Sequence, residues 1–177
     1  TQRMQNYLGR WTEIMELESD RRGVDWPSLL MVVSFLINIL ACSLDPVILP
    51  VSKDFGFALF VLGAVFFSYV LIYLRSGFFG QTSPKLDFLI TNGPYKFCRH
   101  PQYLSFIIMI FGIDLMFRSF LGIIFTIVLS IPSLVYRAKI EDELLRKKFG
   151  EEWEKYSEGV GFLFPKIKRR RHKRSTE

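Results

Sequence analysis

Four long apolar blocks constrain this chain more than any other feature of its sequence. Three of them contain no charged residue: Trp26–Leu44, Phe55–Leu74 and Ser119–Tyr136. The fourth, Pro101–Phe117, carries a single charge at Asp114. A helix needs about 17–25 apolar residues to cross the hydrocarbon core of a bilayer, so the blocks predict transmembrane helices. Backbone groups in lipid must be paired internally, which favours helical spans.

The sequence therefore predicts an all-α integral membrane protein with about four transmembrane helices, at about Pro27–Leu44, Phe55–Leu74, Pro101–Phe117 and Ser119–Tyr136. Only a very short turn at Arg118 separates spans three and four, so we expect them to form a helical hairpin. Pro132 is expected to kink span four near its end.

Polar segments flank these spans. Residues 1–26 carry apolar side chains at helical spacing, which predicts an amphipathic N-terminal segment on the membrane surface. Residues 27–165 form the predicted membrane domain. After span four, the pattern favours two short cytoplasmic helices, the first stopped by Gly150 and the second carrying Trp153 and Tyr156. Residues 166–177 form a basic tail.

The positive charges predict an orientation. Of 23 Lys and Arg residues, 21 lie in alternate segments that include both termini and the loop before span three. The positive-inside rule places these segments in the cytoplasm. The membrane would be the endoplasmic reticulum in a eukaryote and the plasma membrane in a prokaryote. The net charge is +6, and a basic tail beside a membrane favours contact with membrane lipids over nucleic acid.

One polar stretch, Leu89–Ser105, lies between two apolar segments. It contains a turn signal around Gly93, the tyrosines Tyr95 and Tyr103, and the sequence Arg99-His100-Pro101. Pro101 suits the first position of a helix, so His100 is expected at a helix start, where an anionic group can be held. The alternative is a loop whose Arg and aromatic side chains only anchor the headgroup layer. Neither Cys42 nor Cys98 is assigned a disulfide, and no metal site is predicted.

A second polar cluster follows span four. Arg137 and Glu141 are four residues apart and share a helix face, with Asp142 beside them. The simpler interpretation is that Arg137 and Glu141 form an intrahelical ion pair with no functional role. However, both ends of a hairpin lie at one membrane surface, which predicts that the two polar clusters meet. We expect Trp153, Tyr156 and Phe164 to cover them.

Several ordered motifs in this half of the chain resemble one family. They are Gly93-Pro94-Tyr95, Arg99-His100-Pro101-x-Tyr103, Arg137-x-x-x-Glu141-Asp142-x-x-Leu145, Phe149-Gly150-x-x-Trp153-x-x-Tyr156 and Leu163-Phe164-Pro165. Together they resemble the isoprenylcysteine carboxyl methyltransferase and phospholipid methyltransferase group. Two positions depart from the family pattern: Asp142 replaces a Glu, and Phe162 stands where many members carry Arg.

The resemblance implies an integral membrane enzyme that uses S-adenosylmethionine and releases S-adenosylhomocysteine. Residues at about 86–165 would enclose the cofactor, and a lipophilic small-molecule or lipidated substrate would enter from the lipid. The candidate cofactor-binding residues are Leu89, Gly93, Tyr95, His100, Tyr103, Glu141 and Asp142. The candidate catalytic residues are Arg137, Glu141 and Arg99.

Chemistry suggests a role for most of these groups. Glu141 could bind the cofactor's ammonium, while His100 or Tyr95 could bind its carboxylate. Leu89–Gly93 could line an adenine slot. Arg137 could orient an acidic substrate head, and Arg99 could instead fix the loop to the final helices. An amine or thiol acceptor must lose a proton, which makes His100, Glu141 and Asp142 candidate bases, whereas a carboxylate acceptor needs none.

Two other functions remain open from the sequence alone. Sterol reductases that use NADPH share a similar C-terminal pattern, although this chain has only four predicted spans and carries Glu141-Asp142 after the last. A membrane adaptor or lipid-binding protein with a degenerate site is the alternative without catalysis. The leading hypothesis is methyl transfer to an isoprenylcysteine carboxylate, a phospholipid amine or a lipophilic thiol.

Overall fold

The computed structural model describes residues 25–74 and 89–166. The predicted N-terminal amphipathic segment falls almost entirely outside the described residues, and so does nearly all of the basic tail. The connector at 75–88, which supplies part of the charge pattern, also lies outside them.

Helices make up most of the described chain, as the sequence predicts. They are α1 (Trp26–Leu44), α2 (Lys53–Leu74), a 3₁₀ turn (Gly93–Lys96), α3 (Pro101–Phe117), α4 (Phe120–Phe125), a π-helical turn (Thr126–Ser130), α5 (Ile131–Phe149) and α6 (Glu151–Gly159). Within the described ranges, β-structure is limited to two isolated bridges. The all-α membrane fold is therefore confirmed.

Three helical runs are long and apolar enough to cross a membrane: α1, α2 and the continuous run Phe120–Phe149. Helix α3 is apolar but has only 17 residues, so the count of four spans is not confirmed. The predicted first cytoplasmic helix is a continuation of span four, because α5 runs through Tyr136 without a break to Phe149 and stops at Gly150, as predicted. The π-helical turn precedes Pro132, and within it the Ile131 amide donates to the Thr126 carbonyl.

Helices α2 and α3 pack against each other more extensively than any other pair. Glycines allow this close approach. A Cβ atom added at Gly112 of α3 would lie 2.5 Å from the Phe60 backbone nitrogen, and one added at Gly56 of α2 would lie 2.4 Å from the Met116 nitrogen. Because the obstructing atoms are backbone, a side-chain rotation cannot relieve the clash.

The turn between α3 and α4 forms the predicted hairpin. Arg118 ends α3 in the left-handed conformation, with φ of 57°, and its amide donates to carbonyls of the last helical turn. The Arg118 Nε donates to the Leu49 carbonyl at 2.7 Å, which ties the hairpin to the loop between α1 and α2. Ser119 then caps α4 by accepting from the Gly122 amide at 2.8 Å.

A buried polar network joins the helices at the depth of the apolar blocks. Asp114 of α3 is fully buried and accepts from the Thr126 hydroxyl at 2.6 Å. Asn38 of α1 donates to that same hydroxyl oxygen at 2.8 Å and to the Gly122 carbonyl at 2.9 Å. Unpaired polar groups are costly in an apolar interior, so these bonds fix α1 against the hairpin.

We predict that Gly112→Leu separates α2 from α3. The added side chain meets backbone atoms, so the variant should lose at least about 1–3 kcal/mol of stability, as overpacked interiors do. Thermal unfolding in detergent measures the loss. Ala58→Leu is the matched control, because Ala58 is exposed on α2. Equal unfolding temperatures for the two variants would contradict the close packing.

Candidate active site

The loop before α3 reaches the membrane edge opposite the Arg118 turn. His100 is the residue immediately before the helix, and Pro101 occupies its first position, as predicted. Helix α5 returns from the hairpin to the same edge and carries the second polar cluster. The structure therefore brings His100 and Glu141 together, with the His100 Nδ1 3.9 Å from the Glu141 Oε2.

Asp142 is held by two cationic or polar partners from the loop. Its Oδ1 lies 2.9 Å from the His100 Nε2, and its Oδ2 lies 3.1 Å from an Arg99 Nη2. The Asp142 side chain is only 13% exposed, and that of His100 only 2%. One oxygen of Asp142 is thus paired with the His100 ring, and the other is paired with Arg99.

Glu141 has a different environment. Its Oε2 accepts from the Tyr103 hydroxyl at 2.9 Å and from the Gln102 amide at 3.3 Å, and both donors are neutral. Its side chain is 28% exposed. A carboxylate held by neutral donors keeps its negative charge and further acceptor capacity. Gln102 was not predicted, although its place beside Tyr103 in the first turn of α3 was a signal.

Arg137 is joined to Glu141 through Tyr103. The Arg137 Nε donates to the Tyr103 hydroxyl oxygen at 3.0 Å. Its Nη1 lies 3.2 Å from an Asp25 carboxylate oxygen and also donates to the Ser28 hydroxyl. Sequence reasoning missed these two residues as part of the site, because Asp25 reads only as the start of a span and lies 112 positions from Arg137.

The chain after α6 pairs with the loop that holds His100. The Arg99 amide donates to the Gly161 carbonyl at 2.8 Å, and the His100 amide donates to the Phe162 carbonyl at 3.2 Å. The Phe162 ring lies 5.0 Å from the His100 ring, measured between centroids. The Arg99 guanidinium lies 5.3 Å from the Trp153 ring centroid and 5.5 Å from that of Phe162, within cation–π range.

Through these contacts Trp153, Tyr156 and Phe162 cover the loop that holds Arg99 and His100. This cover differs in one residue from the predicted one. Trp153 is buried over Arg99, and the Tyr156 hydroxyl donates to the Tyr95 carbonyl at 2.7 Å, so both lie in the cover as predicted. Phe164 is 68% exposed, so its predicted place in the cover is wrong. Phe162 takes that place because its backbone pairs with the loop.

The remaining predicted residues lie in the loop before His100. Tyr95 is buried, and this burial together with the nearby Glu141 carboxylate raises the pKa of Tyr95, so it stays a neutral phenol. Gly93 has φ of 58° and packs against the Tyr73 ring of α2, while Leu89 is half-buried. Burial raises the pKa of the Cys98 thiol to about 11, so it is not a thiolate at neutral pH.

Three buried polar atoms around this cluster have no hydrogen-bond partner among the described residues: Arg99 Nε, Trp153 Nε1 and Gln102 Oε1. Two of them are donors and one is an acceptor. Buried polar groups are normally paired, so this set is suited to a ligand with both acceptor and donor groups. The described chain contains no cluster of His, Cys, Asp and Glu that could hold a metal ion.

Comparison with known proteins identifies the class. A sequence model for phospholipid methyltransferases matches residues 52–152, which is more than half of the chain. The chain belongs to this family. The family is one of phospholipid methyltransferases, so the match favours methyl transfer over the reductase alternative. The placement of the candidate residues is now described, whereas their individual roles stay predictions.

Individual relatives match shorter stretches of this chain. It is 38% identical over 80 residues to a probable protein-S-isoprenylcysteine O-methyltransferase of Oryza sativa subsp. indica, covering 45% of the chain and 41% of the relative. It is also 35% identical over 82 residues to the nickel-cobalt-cadmium resistance protein NccN of Alcaligenes xylosoxydans xylosoxydans, covering 45% of the chain and 37% of the relative. The matches thus span less than half the length of these proteins.

We predict that Gly161→Ala opens the cover. A Cβ atom at this position would lie 1.8 Å from the Phe164 carbonyl oxygen, so the segment that pairs with Arg99 and His100 must move. Tryptic cleavage at Lys155 in α6 should then become faster. Gly159→Ala is the control, since a Cβ there meets nothing within 4 Å. Identical cleavage rates for the two variants would show that the pairing does not depend on Gly161.

Proposed function

We propose that this methyltransferase uses S-adenosylmethionine and methylates a lipophilic or amphiphilic acceptor at the cytoplasmic face of the membrane. One observation supports this function above the others: Glu141 is a partly exposed carboxylate held by neutral donors, and the loop, α3 and α6 that build the site also carry buried polar atoms without a partner among the described residues. A zwitterionic amino-acid group could satisfy both features.

The cluster can be divided between the two ends of that amino-acid group. Glu141 would accept from the ammonium, because its own partners Tyr103 and Gln102 leave its charge uncompensated. Arg99 Nε and Trp153 Nε1, two donors without a partner in the described part of the chain, would bind the carboxylate. His100 faces Asp142 at 2.9 Å, so we assign it to positioning Arg99 and Asp142 rather than to the carboxylate.

Bound S-adenosylmethionine supplies a methyl group already activated by its sulfonium. The protein has to align the acceptor with that group and exclude water. The loop containing Tyr95, the cover containing Trp153 and Phe162, and the adjoining lipid would exclude water. Arg137 lies beside Glu141 at the membrane edge, where it could orient an acceptor head group that arrives from the bilayer.

The possible acceptors differ in whether a proton must be removed from them during methyl transfer. A prenylcysteine carboxylate, as the rice relative's name indicates for that protein, needs no general base. An amine or thiol must lose a proton, and the described candidates differ in exposure. The His100 ring is buried, whereas Glu141 is the most exposed of the three carboxylate and imidazole groups.

The charge distribution supports a cytoplasmic site. Within the described residues, the membrane edge of the site carries Lys96, Arg99, Arg137 and Lys139, and the α5 end adds Arg146, Lys147 and Lys148. The opposite edge carries Lys53 and Arg118. Positive residues accumulate on the cytoplasmic side, so the site would face the cytoplasm.

We predict that Glu141→Gln weakens cofactor binding. Loss of a charged hydrogen bond should reduce affinity for S-adenosylhomocysteine by about 1.5–3 kcal/mol, as measured by calorimetry in detergent. Glu143→Gln is the matched control, because Glu143 is exposed on the same helix and pairs with Lys147. Equal affinities for the two variants would remove Glu141 from the cofactor site, and tight NADPH binding would contradict the proposed function.

The acceptor can be identified separately. Transfer of a tritiated methyl group from S-adenosylmethionine should be screened over prenylcysteines, phosphatidylethanolamine vesicles and lipophilic thiols. Labelling of one class that is lost in Glu141→Gln and retained in Glu143→Gln would assign the acceptor to this site.

A further inference from the structure

We infer that Asp25 and Ser28, at the start of α1, are positioning residues that keep Arg137 from pairing with Glu141. Both lie outside residues 52–152, the segment matched by the family model. The inference rests on the proposed function, in which Glu141 binds the cofactor's ammonium. It adds a requirement that the family segment does not supply by itself.

Arg137 and Glu141 are four residues apart on α5, and oppositely charged side chains at this spacing can pair directly. Such a pair would compensate the charge of Glu141 and compete with an ammonium ligand. In the structure, Arg137 is turned toward α1 instead. Its Nη1 lies 3.2 Å from the Asp25 Oδ2 and also donates to the Ser28 hydroxyl, which in turn donates to the same Asp25 oxygen.

Tyr103 fills the space between Arg137 and Glu141. Arginine has only donors, so the Tyr103 hydroxyl oxygen accepts from the Arg137 Nε at 3.0 Å. The single hydroxyl proton is then directed to Glu141 at 2.9 Å. Glu141 therefore receives a neutral hydrogen bond in place of a salt bridge, and Asp25 provides the opposite charge for Arg137.

The arrangement is partly shielded and rigidly supported. The Arg137 side chain is 14% exposed and that of Asp25 is 31% exposed, so solvent screens the ion pair less than at an open surface. Two turns along α1, the Ser34 hydroxyl lies 3.0 Å from the Ser133 hydroxyl of α5 in a buried contact. This contact fixes α1 beside the same turn of α5 that precedes Arg137.

A double-mutant cycle tests the inference. Asp25→Asn frees Arg137 to pair with Glu141, so the affinity of the full chain for S-adenosylhomocysteine should fall about three- to tenfold, within the range for residues of one ion-pair network. In an Arg137→Gln background the competing guanidinium is absent, and the same Asp25→Asn change should alter the affinity by less than about twofold. Ser28→Ala should give a smaller loss in the same direction.

Asp54→Asn is the control, since Asp54 is an exposed carboxylate at the start of α2, at the opposite membrane edge. It should bind like the unmodified protein. An equal loss from Asp25→Asn with and without Arg137 would overturn the inference and show that Asp25 acts only on the fold. Thermal unfolding of each variant identifies any that fail to fold, and Ser28→Ala then decides.

A measurement without cofactor separates this inference from the proposed function. The coupling between Arg137→Gln and Glu141→Gln, measured as non-additive shifts in unfolding temperature, should be larger when Asp25→Asn is present than in the natural sequence, where Tyr103 alone connects the two side chains. No increase in coupling would contradict the inference even if cofactor binding is confirmed. An increase in coupling in a protein that does not bind S-adenosylhomocysteine would support the inference and reject the proposed function.

Discussion

The left-handed turn at Arg118 is the constraint on which the rest of the structure depends. It reverses the chain within two residues, Arg118 and Ser119, between α3 and α4, so α5 must return to the edge where α3 began. His100 at the start of α3 and Glu141 on α5 consequently lie 3.9 Å apart although 40 residues separate them in the chain. The buried Asp114 and Thr126 pair holds the two arms together below this turn. The site is thus a product of membrane topology rather than of a local motif.

The two adjacent carboxylates of α5, Glu141 and Asp142, lie in different surroundings. Asp142 contacts a guanidinium and an imidazole, and those two groups in turn contact the Trp153 and Phe162 rings. Glu141 meets a phenol and an amide and remains partly open. A carboxylate already paired with a cation inside the protein binds a charged ligand only weakly. Asp142 therefore holds the site together, whereas Glu141 is suited to binding a ligand. The shorter Asp142 still reaches both Arg99 and His100.

The sequence predicted the class of fold and the meeting of the two polar clusters, because apolar length and hairpin geometry leave few alternatives. It could not predict the partner of Arg137: nothing in the local pattern connects Asp25 with a helix more than a hundred residues away. The sequence also does not show which of Phe162 and Phe164 covers the site. The backbone pairing with Arg99 and His100 places Phe162 there. The sequence predicted a helix through Pro132, but the π-helical turn at Thr126–Ser130 has no signal in the local pattern.

The parallel bridge between Cys98 and Gly161 has a consequence for biosynthesis. The ribosome makes the loop around Cys98 more than sixty residues before it makes the strand-like segment that pairs with it. All the helices α1 to α6 precede Gly161 in the chain, so this pairing can form only after every one of them has been synthesised.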